Sequence, residues 1–184
     1  ARTRDDAAGE AFDKVSKMLN LGYPGGPVIE RLAKEGDPTK IKFPIAKISD
    51  GRPDYSFSGL KTAVARYVRE NNIKSVLQNE SVGQEIKDLC ASFQDTVVRS
   101  LLKSVEKLAN ELHPKTLIVA GGVACNGYLR EASERLGEKL NLPIYFPSKH
   151  LSTDNAAMIA AAGNFHLERG EKAGLTLMAD VTMR

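Results

Sequence analysis

The chain has 184 residues, 42% of them apolar and 27% charged. Those fractions lie near globular averages and argue against a disordered chain. No apolar run approaches the length of a bilayer span and no secretory signal is visible, which excludes a membrane protein and makes cytoplasm or an organelle matrix the expected compartment. A formal charge of +3 tolerates a polyanionic partner without demanding one.

In chain order, Thr3 to Leu19 reads as a helix, with Asp5 and Asp6 suited to its first turn and Gly22 past its end. Tyr23-Pro-Gly-Gly-Pro27 is a rigid turn, and Pro27 suits the first position of a helix running to Glu35. Gly, Pro and Asp punctuate Gly36 to Arg52, predicting loops with one strand. Ser58 to Glu70 is helical. Lys61, Arg66 and Arg69 on it could meet phosphates, although a solvated basic face explains them as well. A long helix covers Gln84 to Leu112, because Ile86, Leu89, Cys90, Phe93, Val97, Leu101, Val105 and Leu108 form one stripe.

Pro114 breaks the pattern. Thr116–Ala120 then reads as a strand, Tyr128–Leu140 as a helix, Pro143–Phe146 as a strand and Asp154–Leu167 as a helix, before a loosely patterned tail from Gly170 to Arg184. A helical first half followed by β-α-β-α predicts an α/β fold with helices covering a parallel or mixed sheet. The expected division is residues 1–112, mostly helical, and residues 113–184, the β-α-β-α portion.

Two stretches could carry chemistry. In Gly121-Gly-Val-Ala-Cys-Asn126 a strand meets two glycines and then a helix, so backbone can approach a phosphate closely. The spacing is neither Walker A nor G-x-G-x-x-G. A tight strand-to-helix turn, with Asn126 as N-cap, is the plainer account. Asp154 stands at a helix mouth, where it could cap or ligate a metal, with Thr153 as a competing cap. His113, His150 and His166 lack paired-imidazole spacing, so this chain cannot complete a metal site alone.

Asp5, Asp6 and Asp13 could receive ribose hydroxyls near Gly25 and Gly26, or form a solvated acidic face. Ser56 and Ser58 alternate with aromatics before a helix and could face one way, with capping the simpler role for Ser58. Cys90 and Cys125 form no disulfide framework. Cys125 has no sequence-near His, and no G-x-S-x-G elbow or H-E-x-x-H appears.

Five segments occurring in order carry a resemblance: Asp5-Asp-Ala-Ala-Gly-Glu-Ala-Phe-Asp-Lys14, Tyr23-Pro-Gly-Gly-Pro27, Asp54-Tyr-Ser-Phe-Ser-Gly-Leu-Lys61, Gly121-Gly-Val-Ala-Cys-Asn126 and Ser152-Thr-Asp-Asn-Ala-Ala-Met-Ile-Ala160. Together they resemble the bacterial and organellar tRNA threonylcarbamoyladenosine transferases, formerly described as O-sialoglycoprotein endopeptidases, over nearly the whole chain. The resemblance implies an actin-like, sugar-kinase-like (ASKHA) ATPase lobe. It also implies transfer of threonylcarbamoyl from its adenylate, threonylcarbamoyl-AMP, to N6 of the adenosine 3′ of the anticodon in tRNAs reading ANN codons.

By the same resemblance, Asp13, Gly26, Glu30 and Asn126 bind the substrate, an adenylate or ATP-type nucleotide. Glu30 stands where the family often has Asp. Gly121 and Gly122 form a phosphate loop, and Asp154 ligates one divalent metal, Fe(2+) or Zn(2+). The family's H-x-x-x-H pair and Ser-Gly-Gly-His loop would lie upstream of Ala1, so the chain is expected to be a C-terminal portion without the N-terminal lobe. Expected partners are tRNA, a paralogous subunit and an ATPase subunit, with no membrane. Competing readings are a metal-dependent glycoprotein endopeptidase, a non-catalytic nucleotide-binding scaffold, and a sugar or carboxylate kinase on the same fold.

Overall fold

The structure is a computed structural model that describes residues 2–76, 81–174 and 176–178. Residues 179–184 of the predicted tail lie outside the described residues. The architecture is mixed α/β and rich in helix, with one small parallel sheet.

Four helices build the core: α1 (Ala8–Met18), α2 (Gly25–Ala33), α3 (Ser58–Glu70) and α4 (Gln84–Leu112). Both α3 and α4 match the bounds their periodicity predicts. Phe12 of α1 meets Phe93 of α4 edge-to-face with centroids 5.2 Å apart, and Val15, Leu19, Ile29, Leu89 and Val97 pack around them in full burial. Each such side chain contributes about 1.5–3 kcal/mol by leaving water. Phe43 and Phe57 close the core from loops rather than helices. His113, at the end of α4, takes a left-handed conformation (φ 46°), and Pro114 follows.

The first helix starts later than predicted. Residues 3–7 run as an isolated bridge followed by bends, Thr3 bridges Tyr55 in parallel, and the Glu10 carboxylate returns to the Ala7 N–H at 3.3 Å. Asp5 and Asp6 leave the first turn because they have stronger partners elsewhere. Asp5 Oδ1 accepts from the Phe57 N–H at 2.8 Å and the Ser58 N–H at 3.3 Å, so it caps α3 from a distance of about fifty residues. Ser56 Oγ donates to Asp5 Oδ2 at 2.5 Å. Asp6 receives Lys14 at 2.7 Å and Lys61 at 3.4 Å.

Other boundaries also move. Pro24 is the N-cap of α2, which places Pro27 at its third residue, where its missing N–H still costs nothing. Residues 36–52 hold no strand. The two predicted strands shorten to β1 (Leu117–Ile118) and β2 (Ile144–Tyr145), paired in parallel with Leu117 opposite Ile144 and Ile118 opposite Tyr145.

Between them a 3-10 turn (Gly122–Cys125) precedes α5 (Gly127–Leu140), and the unpredicted short helix α6 (Lys149–Ser152) precedes α7 (Ala156–Glu168). One face of the sheet lies toward α5; on the other, Ile118 is 70% and Tyr145 60% exposed. No residue of α7 is buried, although Met158, Ile159, Phe165 and Leu167 lie along it. No helix among the described residues is long and apolar enough to cross a membrane.

Candidate functional site

A cavity of about 500 Å³ opens between α1, α2 and the 122–126 turn. That volume is ample for a nucleotide-sized ligand. Asp13, Gly26, Glu30 and Asn126, predicted from segments up to a hundred residues apart, all line it. Of the two loop glycines, Gly122 lines the cavity and Gly121 does not. Thr153 lines it as well, whereas Asp154, the next residue and exposed to solvent, does not.

Each wall has a local cause. Asp13 is in the second turn of α1, and its Oδ1 accepts from the Gly25 N–H at 2.7 Å. Gly25 and Gly26 differ in what they permit. A Cβ on Gly25 would stand 2.5 Å from the Phe12 carbonyl oxygen, while one on Gly26 would meet nothing within 4 Å. The first glycine lets α2 touch α1, and the second leaves the cavity floor open.

The opposite wall depends on Gly121, whose φ of 97° suits glycine, and on the 3-10 turn that follows. Arg130 holds this turn, donating from Nε to the Ala124 carbonyl at 2.6 Å and from Nη2 to the Pro147 carbonyl at 3.0 Å. Its guanidinium also lies over the Phe146 ring, 4.8 Å from the centroid. The strand therefore does not run directly into a long helix, as the sequence suggests. Asn126 caps α5, its Oδ1 accepting from the Leu129 N–H at 2.9 Å.

Glu30 crosses from α2 to α5 and its Oε1 accepts from the Gly127 N–H at 2.9 Å. A carboxylate of the protein thus already occupies the positive end of α5, where an anion is favoured. Gln94 of α4 stands behind this wall, outside the cavity. It is 4% exposed, and its Oε1 accepts from Asn126 Nδ2 at 2.8 Å. Sequence reasoning missed Gln94; the only local signal was an amide directly after Phe93 on an otherwise apolar stripe.

Asp5, Asp6 and Asp13 do not act together. The first two are structural, by the contacts above. Burial opposes charge on Asp5, but the Ser56 hydroxyl and the Phe57 and Ser58 amides outweigh it and hold the carboxyl below its ordinary range. Lys14 chiefly, with Lys61, holds Asp6 low against a smaller cost of burial.

Neither Asp154 nor Thr153 caps α7. Asn155 does, accepting from the Met158 N–H at 3.0 Å. Asp154 has no ion-pair or hydrogen-bond partner among the described residues, so its carboxylate fits the role of one hard ligand. No group of three His, Cys, Asp or Glu among those residues could hold a metal, and His166 is engaged with Glu171 at 2.6 Å. The described residues therefore offer one donor and not a complete site.

The family model described as TsaD, tRNA N6-adenosine threonylcarbamoyltransferase, matches residues 1–161. Proteins of that name are similar over nearly the whole chain. That of Anaeromyxobacter dehalogenans is 48% identical over 100% of this chain and 53% of its own length. That of Koribacter versatilis is 45% identical over 99% and 56%, and that of Carboxydothermus hydrogenoformans 49% over 96% and 50%. The chain thus spans about half the length of the curated relatives it matches. Among solved structures, the crystal structure of T. kodakarensis HypF matches with a TM-score of 0.63 at 18% identity, over 89% of this chain and 20% of that one, a likeness of fold.

Proposed function

We propose, for a chain that belongs to the tRNA N6-adenosine threonylcarbamoyltransferase family, that the cavity between α1, α2 and the 122–126 turn seats an adenylate. The protein carrying it transfers threonylcarbamoyl from threonylcarbamoyl-AMP to N6 of the adenosine 3′ of the anticodon in tRNAs reading ANN codons. The observation that supports this reading is the convergence of Asp13, Gly26, Glu30 and Asn126 on one cavity.

In the reaction, the adenosine N6 attacks the carbamoyl-side carbonyl carbon of the mixed anhydride. A C–N bond forms, the C–O bond to phosphate breaks, AMP leaves and N6 loses a proton. An exocyclic adenine amine is a weak nucleophile, so alignment supplies much of the rate. Asp13, with Oδ1 fixed by Gly25, presents its second oxygen to ribose hydroxyls. Gly26 leaves room for the ligand, and Asn126 contributes an amide at the turn. Gly121 and Gly122 form the phosphate loop. Glu30 orders the turn through Gly127 as well as bordering the ligand.

Asp154 would be one ligand of a divalent metal, Fe(2+) or Zn(2+), for which the described residues offer no second donor beside it. When bound, the ion supplies Lewis-acid polarisation of an acyl or phosphate oxygen. The fold is an actin-like, sugar-kinase-like lobe, with residues 1–112 and 113–184 as its two portions. The protein works in cytoplasm or an organelle matrix with a paralogous subunit and an ATPase subunit. The test is made on the full protein carrying this chain, supplied with those partners, tRNA and threonylcarbamoyl-AMP. Asp154→Ala should fold normally yet form no modified nucleoside by mass spectrometry. Undiminished modification would overturn the assignment.

A further inference from the structure

We infer that Gln94, on α4 and remote in sequence from every predicted ligand contact, is a positioning residue that sets the amide of Asn126 for nucleotide binding. The argument begins with a backbone N–H, which can only donate. Leu129 N–H donates to one side-chain atom of Asn126 at 2.9 Å, so that atom must be the carbonyl oxygen, and the amide nitrogen must lie on the other side. There it meets Gln94 at 2.8 Å, so Gln94 must present its own oxygen. The whole relay is fixed in direction by α5.

Asn126 is 7% exposed and Gln94 4%, so this exchange takes place with almost no water to replace either partner. An amide N–H left without its acceptor in such a place carries a desolvation cost that nothing offsets. Without Gln94, Asn126 would relieve that cost by turning about its side chain, giving up its hold on Leu129, and its position on the cavity wall would be lost. With Gln94 in place, one N–H of the Asn126 amide is committed. The second is left for a ligand in the cavity that Asn126 lines.

Gln94 itself lines a neighbouring cavity of about 350 Å³, shared with Glu30, Lys34, Tyr128, Glu131 and Lys149. The Gln94–Asn126 pair therefore stands as a partition between two hollows. Next along α4, Asp95 Oδ1 accepts from the Tyr128 hydroxyl at 2.9 Å, so consecutive residues of α4 brace the start of α5.

This inference rests on the adenylate reading of the cavity, and its test separates the two. The full protein and its variants are titrated calorimetrically with AMP, and KM and kcat are measured with threonylcarbamoyl-AMP and tRNA. Gln94→Met keeps the shape and removes the acceptor, so Kd for AMP and KM should rise about 3- to 10-fold, the worth of one hydrogen bond, with kcat near that of the parent. Gln94→Glu restores an acceptor and should recover most of the affinity.

In an Asn126→Ala background, Gln94→Met should change Kd no further, which keeps the question answerable if Gln94→Met alone folds poorly. The inference is overturned if Gln94→Met leaves Kd and KM unchanged, if Gln94→Glu fails to rescue, or if the two substitutions add independently. If the parent protein binds no AMP and modifies no tRNA, the adenylate reading fails instead.

Discussion

Asp13 on α1 and Gly25 at the head of α2 are joined by a single hydrogen bond, from the Gly25 N–H to Asp13 Oδ1 at 2.7 Å. It ties the two helices at the point where they form the cavity wall, and it divides the carboxylate's work between its oxygens. Asp13→Asn keeps an oxygen for Gly25 but loses the charge. It should melt within a few degrees of the parent while binding AMP about 10- to 100-fold more weakly, the worth of a hydrogen bond to a charged group. Calorimetric titration alongside thermal melting distinguishes this from general damage.

The adjacent glycines should separate stability from binding. Gly25→Ala forces a methyl against the Phe12 carbonyl and the Asp13 backbone, and should cost about 1–3 kcal/mol in denaturant unfolding. The Cβ of Gly26→Val meets no protein atom within 4 Å, so the variant should unfold near the parent, yet weaken AMP binding by filling the floor of the cavity. A Gly26→Val protein with parental affinity would show that no ligand sits there.

Asp5 predicts an acid signature. Its folded pKa is depressed, so the stability it confers is present above the ordinary aspartate value of 3.8 and disappears as pH falls through the lower folded value. Asp5→Asn should destabilise by about 0.5–1 kcal/mol at neutral pH, as loss of an exposed helix cap does. The gap between variant and parent should close as the pH falls below that value. Urea unfolding at several pH values between neutral and strongly acid checks it.

The two thiols should behave oppositely. Burial pushes the Cys90 thiol up to about 12 and encloses it in the core, while Cys125 is partly exposed on the cavity wall. A maleimide should label Cys125 alone in the folded protein, and AMP should slow that labelling. Mass mapping of the modified peptide reads both outcomes.

The exposed apolar side chains of Ile118 and Tyr145 on the sheet, and of Met158, Ile159, Phe165 and Leu167 on α7, should bind a hydrophobic dye when residues 1–184 are produced alone. Parallel strands ordinarily have both faces covered, and this pair has one. Ile118→Lys together with Phe165→Lys should abolish the dye fluorescence while leaving the α1–α4 core folded by circular dichroism.

How much of this was legible in the sequence varied with distance. Helices α3 and α4 were readable to the residue because their stripes and breaks are local: Ser58 to Glu70, and Gln84 with its Pro114 stop. The start of α1 was not, because the partners that draw Asp5 out of a helix are Phe57 and Ser58, half a hundred positions away. Nor could local chemistry rank Thr153, Asp154 and Asn155, three residues that all cap helices well; only the fold chose Asn155 and left the carboxylate free. The strands shortened because residues 117–118 and 144–145 have only each other for pairing among the described residues. The gathering of Asp13, Gly26, Glu30 and Asn126 came from family resemblance, since no periodicity links positions so far apart. Gln94 was hidden by its own helix, where one amide inside an apolar stripe looks like noise.

Two glycines also decide which parts of the cleft can breathe. Gly25 lays α2 on the backbone of α1, and Gly36 lays the end of α2 on the backbone of α4 at Lys87, with no side chain between them to slide or repack. Main chain seated on main chain makes these three helices one stiff beam. Widening of the cleft to admit a ligand therefore has to loosen the side-chain ties that hold the opposite bank to this beam, from Glu30 to Gly127 and from Gln94 to Asn126. Amide exchange should be faster across the short turn Gly122–Cys125 than along the three helices of the beam.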